Sequence, residues 1–160
     1  MIRSGGRRVL VTGSRRWTDT TTIRDSLASA WHPTNVLVHG ACPTGADALA
    51  NACWTHWGGR VEPHPAPPWD TPCRPDCYHR PRYRSGRRYC PAVPQHRNRA
   101  MVARGADVVL AFILARSSGS TGCLHAAVKA GIPAVVYHRG LAADLVDELT
   151  RLPATAVVSA

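Results

Sequence analysis

Cys73, Cys77, His79 and Cys90 stand within one short stretch of the chain, PCRPDCYHRPRYRSGRRYCP at residues 72–91. Three thiols and an imidazole at such spacings can complete a tetrahedral metal site, and the two Cys73–Cys77 positions match the first half of many structural zinc centres. His64 or His96 could replace His79 in that role. With four protein ligands the metal would be structural, a zinc cofactor tying a proline-rich loop into a lid. The same stretch is dense in arginine: residues 73–104 hold nine Arg against one Asp, most of the net charge of +10. Tyr78, Tyr83 and Tyr89 interleave with those arginines, a pattern that serves single-stranded nucleic acid through stacking and backbone neutralisation. Nucleic acid is therefore a second-choice partner, behind a nucleotide-type small molecule.

The case for the small molecule rests on three other segments, TGSRRW (12–17), HGACPTGAD (39–47) and ARSSGSTGC (115–123). Each is rich in Gly, Ser or Thr, follows an apolar run and opens a helix, so backbone N–H groups and the helix dipole can hold an anion. Gly13, Ser14, Arg15, Gly40, Thr44, Gly45, Gly119, Ser120, Thr121 and Gly122 are the candidate ligand-binding residues of these loops. Gly40 to Gly45 has the spacing of a P-loop, but Ala46-Asp47 stands where Lys-Ser/Thr is required. The first loop lacks the later glycines of a dinucleotide fingerprint. Asp47 either favours its helix N-terminus or accepts hydrogen bonds from ribose hydroxyls.

Elements that would position these residues follow from the periodicity. Apolar runs predict strands at 7–13, 35–40, 60–64, 107–114 and 132–138, with an edge strand at 155–159. Helices are expected at 20–31, capped by Thr18 or Asp19, and at 44–58, 96–106, 121–131 and 141–152. Alternation of buried strands with helices indicates an α/β fold, a Rossmann-like parallel sheet with helices on both faces. Residues 65–94, an insert within a single domain of 160 residues, read as neither helix nor strand. The longest apolar run, VVLAFILA, is too short to span a bilayer. MIRSGGRRVLVTG lacks the apolar core of a secretory signal, so a cytoplasmic setting and no membrane partner are expected. There, clustered cysteines point to metal more than to disulfides. Cys42, Cys53 and Cys123 are expected to be small packing residues.

VTGSRRWTD, HGACPTGADALA, HRNRAMVARGADVVLAF and SGSTGCLHAAVKAGIPAVVY, in this order, resemble the SLOG superfamily, specifically its YspA-related, DUF2493-like group. The resemblance implies a nucleotide or nucleotide-derived phosphorylated ligand at the carboxyl edge of the sheet, bound by a sensor or sequestering module. It also relates the chain to the LOG proteins, which cleave nucleoside 5'-monophosphates at the N-glycosidic bond. On that likeness Arg97, four residues before Met101, matches the relatives' catalytic arginine, and Asn98 replaces their lysine. Gly119 and Gly122 survive from their glycine-rich loop, whereas Ala126 stands where they carry glutamate. Arg97 and Asp47 are then the candidate catalytic residues, with His125 next to the vacant position. Glu62 and Glu148, the two glutamates of the chain, are not placed to substitute. Relatives of this fold often form dimers, and Trp54 and Trp57 could contribute to a homo-oligomer face or pack in the core.

Overall fold

The structure, a computed structural model, describes residues 5–115 and 117–160. Met1–Ser4 and Arg116, the latter part of the third loop, lie outside the described residues. The chain runs β1 (Arg8–Gly13), α1 (Thr20–Ala30), β2 (Val36–His39), α2 (Ala46–His56), β3 (Arg60–Pro63), β4 (Arg82–Arg84), β5 (Arg87–Tyr89), α3 (Val93–Ala103), β6 (Val108–Leu114), α4 (Ser118–Lys129), β7 (Ala134–Arg139), α5 (Ala143–Thr150) and β8 (Thr155–Ser159).

Six strands form one parallel sheet in the order β3-β2-β1-β6-β7-β8. This is the Rossmann-like α/β arrangement expected from the alternating apolar runs. Chain direction across the sheet reverses between β1 and β6, the switch point at which such sheets open a crevice at their carboxyl ends. β1 and β6 are buried through their centres because both faces are covered. Leu10, Val109 and Ala111 face one apolar cluster with Met101 and Leu124, whereas Val9, Val11 and Phe112 face a second with Ile23, Ala50 and Trp54. Asp19 caps α1: its carboxylate accepts from the Thr22 N–H at 3.0 Å.

Several boundaries differ from the pattern reading. α3 begins at Val93, ahead of the expected residue 96, because Pro94 fits the first turn of a helix, where no N–H is required. α4 begins at Ser118 instead of 121, so Gly119, Ser120, Thr121 and Gly122 form its first turns and are not loop. α2 is shorter than 44–58 at both ends, with Gly45 as its N-cap. The insert is not devoid of regular structure either: β4 and β5 form an antiparallel hairpin. Its turn, Ser85-Gly86, has positive φ at both residues (49° and 74°), the conformation of a two-residue hairpin matched to strand twist.

Trp54 is fully buried and stacks edge-on against Trp31 at 4.9 Å, with Trp57 a further 5.4 Å from Trp31. A ring in that position belongs to the core, which removes Trp54 from any subunit face.

Gly45 adopts φ 73°, and a Cβ there would collide with the Ser14 carbonyl and the Arg15 backbone. The first and second strand-end loops therefore pack through this glycine. Gly45→Ala combines left-handed strain with a backbone clash and is expected to destabilise by about 2 kcal/mol or more in urea unfolding. An unchanged midpoint would contradict this packing.

Candidate functional site

A cleft of about 380 Å³ opens at the switch point, walled by the ends of β1 and β2, the first turns of α3 and the start of α4. Gly13, Ser14, Arg15, Gly40, Asp47, Arg97, Asn98, Gly119 and Ser120 line it. Thr44, Gly45, Thr121, Gly122 and His125 do not. Thr121 faces back along its own helix, donating from Oγ1 to the Ser117 carbonyl at 3.0 Å. Thr12, Cys42, Gln95 and Ser118 join the lining without having been singled out from sequence. Gln95 and Ser118 are there because α3 and α4 start earlier than their periodicity indicates, and the Pro94 signal could have located the first of these starts.

Arg97 is fixed by its neighbours. Its Nη1 donates to the carbonyl of Gly40 and, at 2.8 Å, to that of His64, while Nε donates to Asn98 Oδ1 at 2.8 Å. A side chain at position 40 would overlap the guanidinium, with Cβ 2.6 Å from Nη1, so this glycine is needed for close approach. Nη2 has no hydrogen-bond partner among the described residues. Asn98 in turn reaches from its Nδ2 to the Gly119 carbonyl at 3.4 Å, joining α3 to the first turn of α4. In that turn the backbone N–H groups of Ser118 and Gly119 have no helical acceptor, and Ser117 supplies no side-chain cap. The cleft thus holds a guanidinium and a helix N-terminus, two features that favour an anion.

Asp47 lies buried in the first turn of α2. Burial pushes its carboxyl above the ordinary value, opposed by hydrogen bonding from the Cys42 N–H (3.2 Å) and by the charge of Arg97. His39 Nδ1 accepts from the Ala41 N–H at 2.9 Å, which assigns the ring proton to Nε2, donating to Asn51 Oδ1 at 3.0 Å. Burial lowers the His39 pKa and favours this neutral form. Cys123, behind the cleft, is a buried thiol pushed up to about 11 by desolvation, so it packs as an uncharged group.

Glu62 is occupied elsewhere. Arg8 grips its carboxylate at 2.6 and 2.9 Å, and His64 Nε2 lies 2.6 Å from Oε1. The Arg8 hydrogen bond is the main reason its pKa falls to about 2.

At the root of the insert, Cys73, Cys77, His79 and Cys90 bring their ligand atoms within 4.8 Å of one another and could hold a metal ion. Cys77 Sγ lies 3.6 Å from Cys90 Sγ, and His79 Nε2 lies 3.5 Å from both Cys73 Sγ and Cys90 Sγ. Of the alternative histidines, His96 approaches Cys77 Sγ at 3.2 Å and forms an overlapping trio with it and Asp76, whereas His64 is engaged by Glu62. Arg80, Arg82, Arg84, Arg87 and Arg88, the arginines of the insert that a lid over the cleft would bring to its phosphate end, are absent from its lining. Instead, Arg84 and Arg87 lie over the Trp69 ring, each 5.6 Å from its centroid, and Arg87 pairs with Asp70 at 2.6 Å.

The profile of the YspA, cpYpsA-related SLOG family matches residues 7–61. The Gene 61 protein of Mycobacterium phage D29 is 41% identical over 134 residues, spanning 82% of this chain and 96% of that protein. The chain belongs to the YspA, cpYpsA-related SLOG family. Among solved structures, DNA processing protein A (DprA) from Streptococcus pneumoniae superposes with a TM-score of 0.66 at 17% identity, covering 96% of this chain, which spans 58% of that one. The Moco carrier protein from Chlamydomonas reinhardtii gives 0.60 at 15% identity, covering 96% of this chain and 89% of that one. A DprA from Helicobacter pylori, described for its single-stranded DNA binding mode, gives 0.50 at 18% identity over 84% of this chain and 66% of that one. These likenesses establish the shared fold.

No helix among the described residues is long and apolar enough to cross a membrane. The Glu62 pairing has a pH signature. A carboxyl held at about 2 against an ordinary 4.5 stabilises the fold fully above the higher value, and that contribution is lost as pH falls toward the lower. Glu62→Gln is expected to flatten the stability profile across that window in acid-titrated urea unfolding; an unchanged slope would contradict the pairing.

Proposed function

We propose that the cleft binds a nucleotide or nucleotide-derived phosphorylated ligand and that the protein acts as a sensor or sequestering module. The observation that carries this reading is the placement of Arg97, held by two backbone carbonyls with Nη2 unpartnered among the described residues, in the same cleft as the first turn of α4. A phosphate would take hydrogen bonds from Nη2 and from the Ser118 and Gly119 N–H groups. Asp47, which lines the same cleft, suits ribose hydroxyls as donors to its carboxylate. The volume falls within the range of small-molecule sites. Neighbours of the same fold are named for carrying Moco and for binding single-stranded DNA, which is consistent with a ligand or nucleic-acid role. Arg97→Ala is expected to weaken affinity for a bound nucleoside phosphate at least tenfold in calorimetry, since hydrogen bonds to charged groups contribute about 1.5–3 kcal/mol. Unchanged affinity would remove Arg97 from the site.

One observation favours a second reading, hydrolysis of the N-glycosidic bond. Asp47 is a buried carboxyl with a raised pKa beside Arg97, and such a group can stabilise an oxocarbenium-like state or activate water. Ala126 packs against the apolar core and supplies no carboxylate where LOG proteins carry one. Chromatography of nucleoside 5'-monophosphates incubated with the protein separates the readings. Binding without free-base release supports the sensor; release that Asp47→Asn abolishes establishes the enzyme.

We also propose that the Cys73, Cys77, His79 and Cys90 group holds a structural zinc ion. Zinc at ~2.3 Å from sulfur and ~2.0 Å from nitrogen, at tetrahedral angles, separates two sulfurs by about 3.8 Å and sulfur from nitrogen by about 3.5 Å. The 3.6 and 3.5 Å separations here agree with both. Elemental analysis should find one zinc per chain, lost in Cys90→Ser. Protein prepared without chelators that is free of zinc yet fully folded would overturn this assignment.

A further inference from the structure

The β4–β5 hairpin has two faces of different character. Paired residues of an antiparallel ladder share a face, so Arg82 with Tyr89 and Arg84 with Arg87 lie on one side, and Tyr83 with Arg88 on the other. The first side turns to the protein body: Tyr89 packs edge-on against Trp69 at 6.3 Å, and Arg84 and Arg87 cover the same indole. The second side has no such partner. Tyr83 is 67% exposed, and Tyr78, in the segment leading into the hairpin, is 96% exposed.

The charge around these rings is only partly neutralised. Arg87 pairs with Asp70, Arg74 with Asp76 and Arg104 with Glu62. Arg80, Arg82 and Arg88 have no carboxylate partner among the described residues and are exposed. A solvated tyrosine ring gains nothing from water on both its faces, and the free guanidinium groups of Arg80 and Arg88, with the exposed rings of Tyr78 and Tyr83, complement a ligand that is both anionic and flat. A single nucleic-acid strand offers phosphates for the arginines and unpaired bases for the tyrosines, whereas a duplex hides its base faces and an acidic peptide lacks them.

We propose that the outward face of the hairpin, Tyr83 and Arg88 with the adjoining Tyr78 and Arg80, docks single-stranded nucleic acid. This surface is distinct from the cleft and does not depend on what the cleft binds. The hairpin is rooted in the Cys73, Cys77, His79 and Cys90 group, which holds both its ends: Cys90 follows Tyr89 directly, and His79 precedes Arg82 by three residues.

Fluorescence anisotropy with a labelled oligothymidylate of about 20 nucleotides tests the proposal on the full chain. Affinity should fall steeply with salt, and Arg88→Ala should lower the slope of log affinity against log salt by about 0.7. Tyr83→Ala should weaken binding about tenfold while Tyr83→Phe retains it, because stacking needs the ring and not the hydroxyl. Tyr83 is exposed, so circular dichroism and metal content should be unchanged in both variants. Equal affinity of wild type and Tyr83→Ala would overturn the proposal and leave a non-specific polyanion surface. Equal or tighter binding of duplex DNA, or of a poly-glutamate peptide, would overturn it as well.

Discussion

The hydrogen bonds from Arg97 to the carbonyls of Gly40 and His64 join three parts of the molecule that are distant in sequence. They tie α3 to the segments leaving β2 and β3, and through Asn98 to the start of α4. A half-buried guanidinium is costly to withdraw from water unless its donors are met, and here backbone carbonyls meet part of them without supplying a neutralising carboxylate in contact. The positive charge therefore remains available to a ligand, moderated by Asp47 in the same cleft. Gly40 is the condition for the arrangement, since any Cβ would occupy the volume of the guanidinium.

The insert relates to this centre indirectly. Its cysteine and histidine ligands converge next to the first turn of α3, with Cys90 three residues before that helix and His96 within it touching Cys77. A metal ion there would stiffen the helix that presents Arg97, while the basic hairpin points elsewhere. One proline-rich segment thus contacts the helix that carries Arg97, through Cys77 and His96, and displays arginines and tyrosines to solvent.

Much of the fold was legible because strands buried on both faces must be continuous apolar runs, as VLVTG, VLVH and VVLAFIL are. The hairpin was hidden by the opposite property: RYR and RRY are three residues each, exposed and charged, so no apolar alternation marks them. Only Ser85-Gly86 signalled the turn. The start of α4 was hidden because Ser118, Gly119 and Ser120 have low helix propensity, and the turn is supported by burial of Ser120 and by the Asn98 hydrogen bond to Gly119. Arg97, Asn98 and Asp47 were named from the sequence as candidates, and the structure sets all three along one cleft. Where the remaining arginines point was not legible, because strand pairing and the Trp69 ring decide it. Trp54 illustrates the same limit: an aromatic on an amphipathic helix suits a core or an interface equally until its neighbours, here Trp31 and Trp57, are known.

The most direct measurement compares a series of nucleosides with their 5'-monophosphates and 5'-diphosphates by calorimetry at constant salt. A cleft built around Arg97 and the α4 N-terminus requires the phosphate, so at least one phosphorylated member should bind while its nucleoside binds at least tenfold more weakly. Equal affinity for a nucleoside and its phosphate, or binding to none of the series, would contradict the assignment of this cleft to a phosphorylated nucleotide.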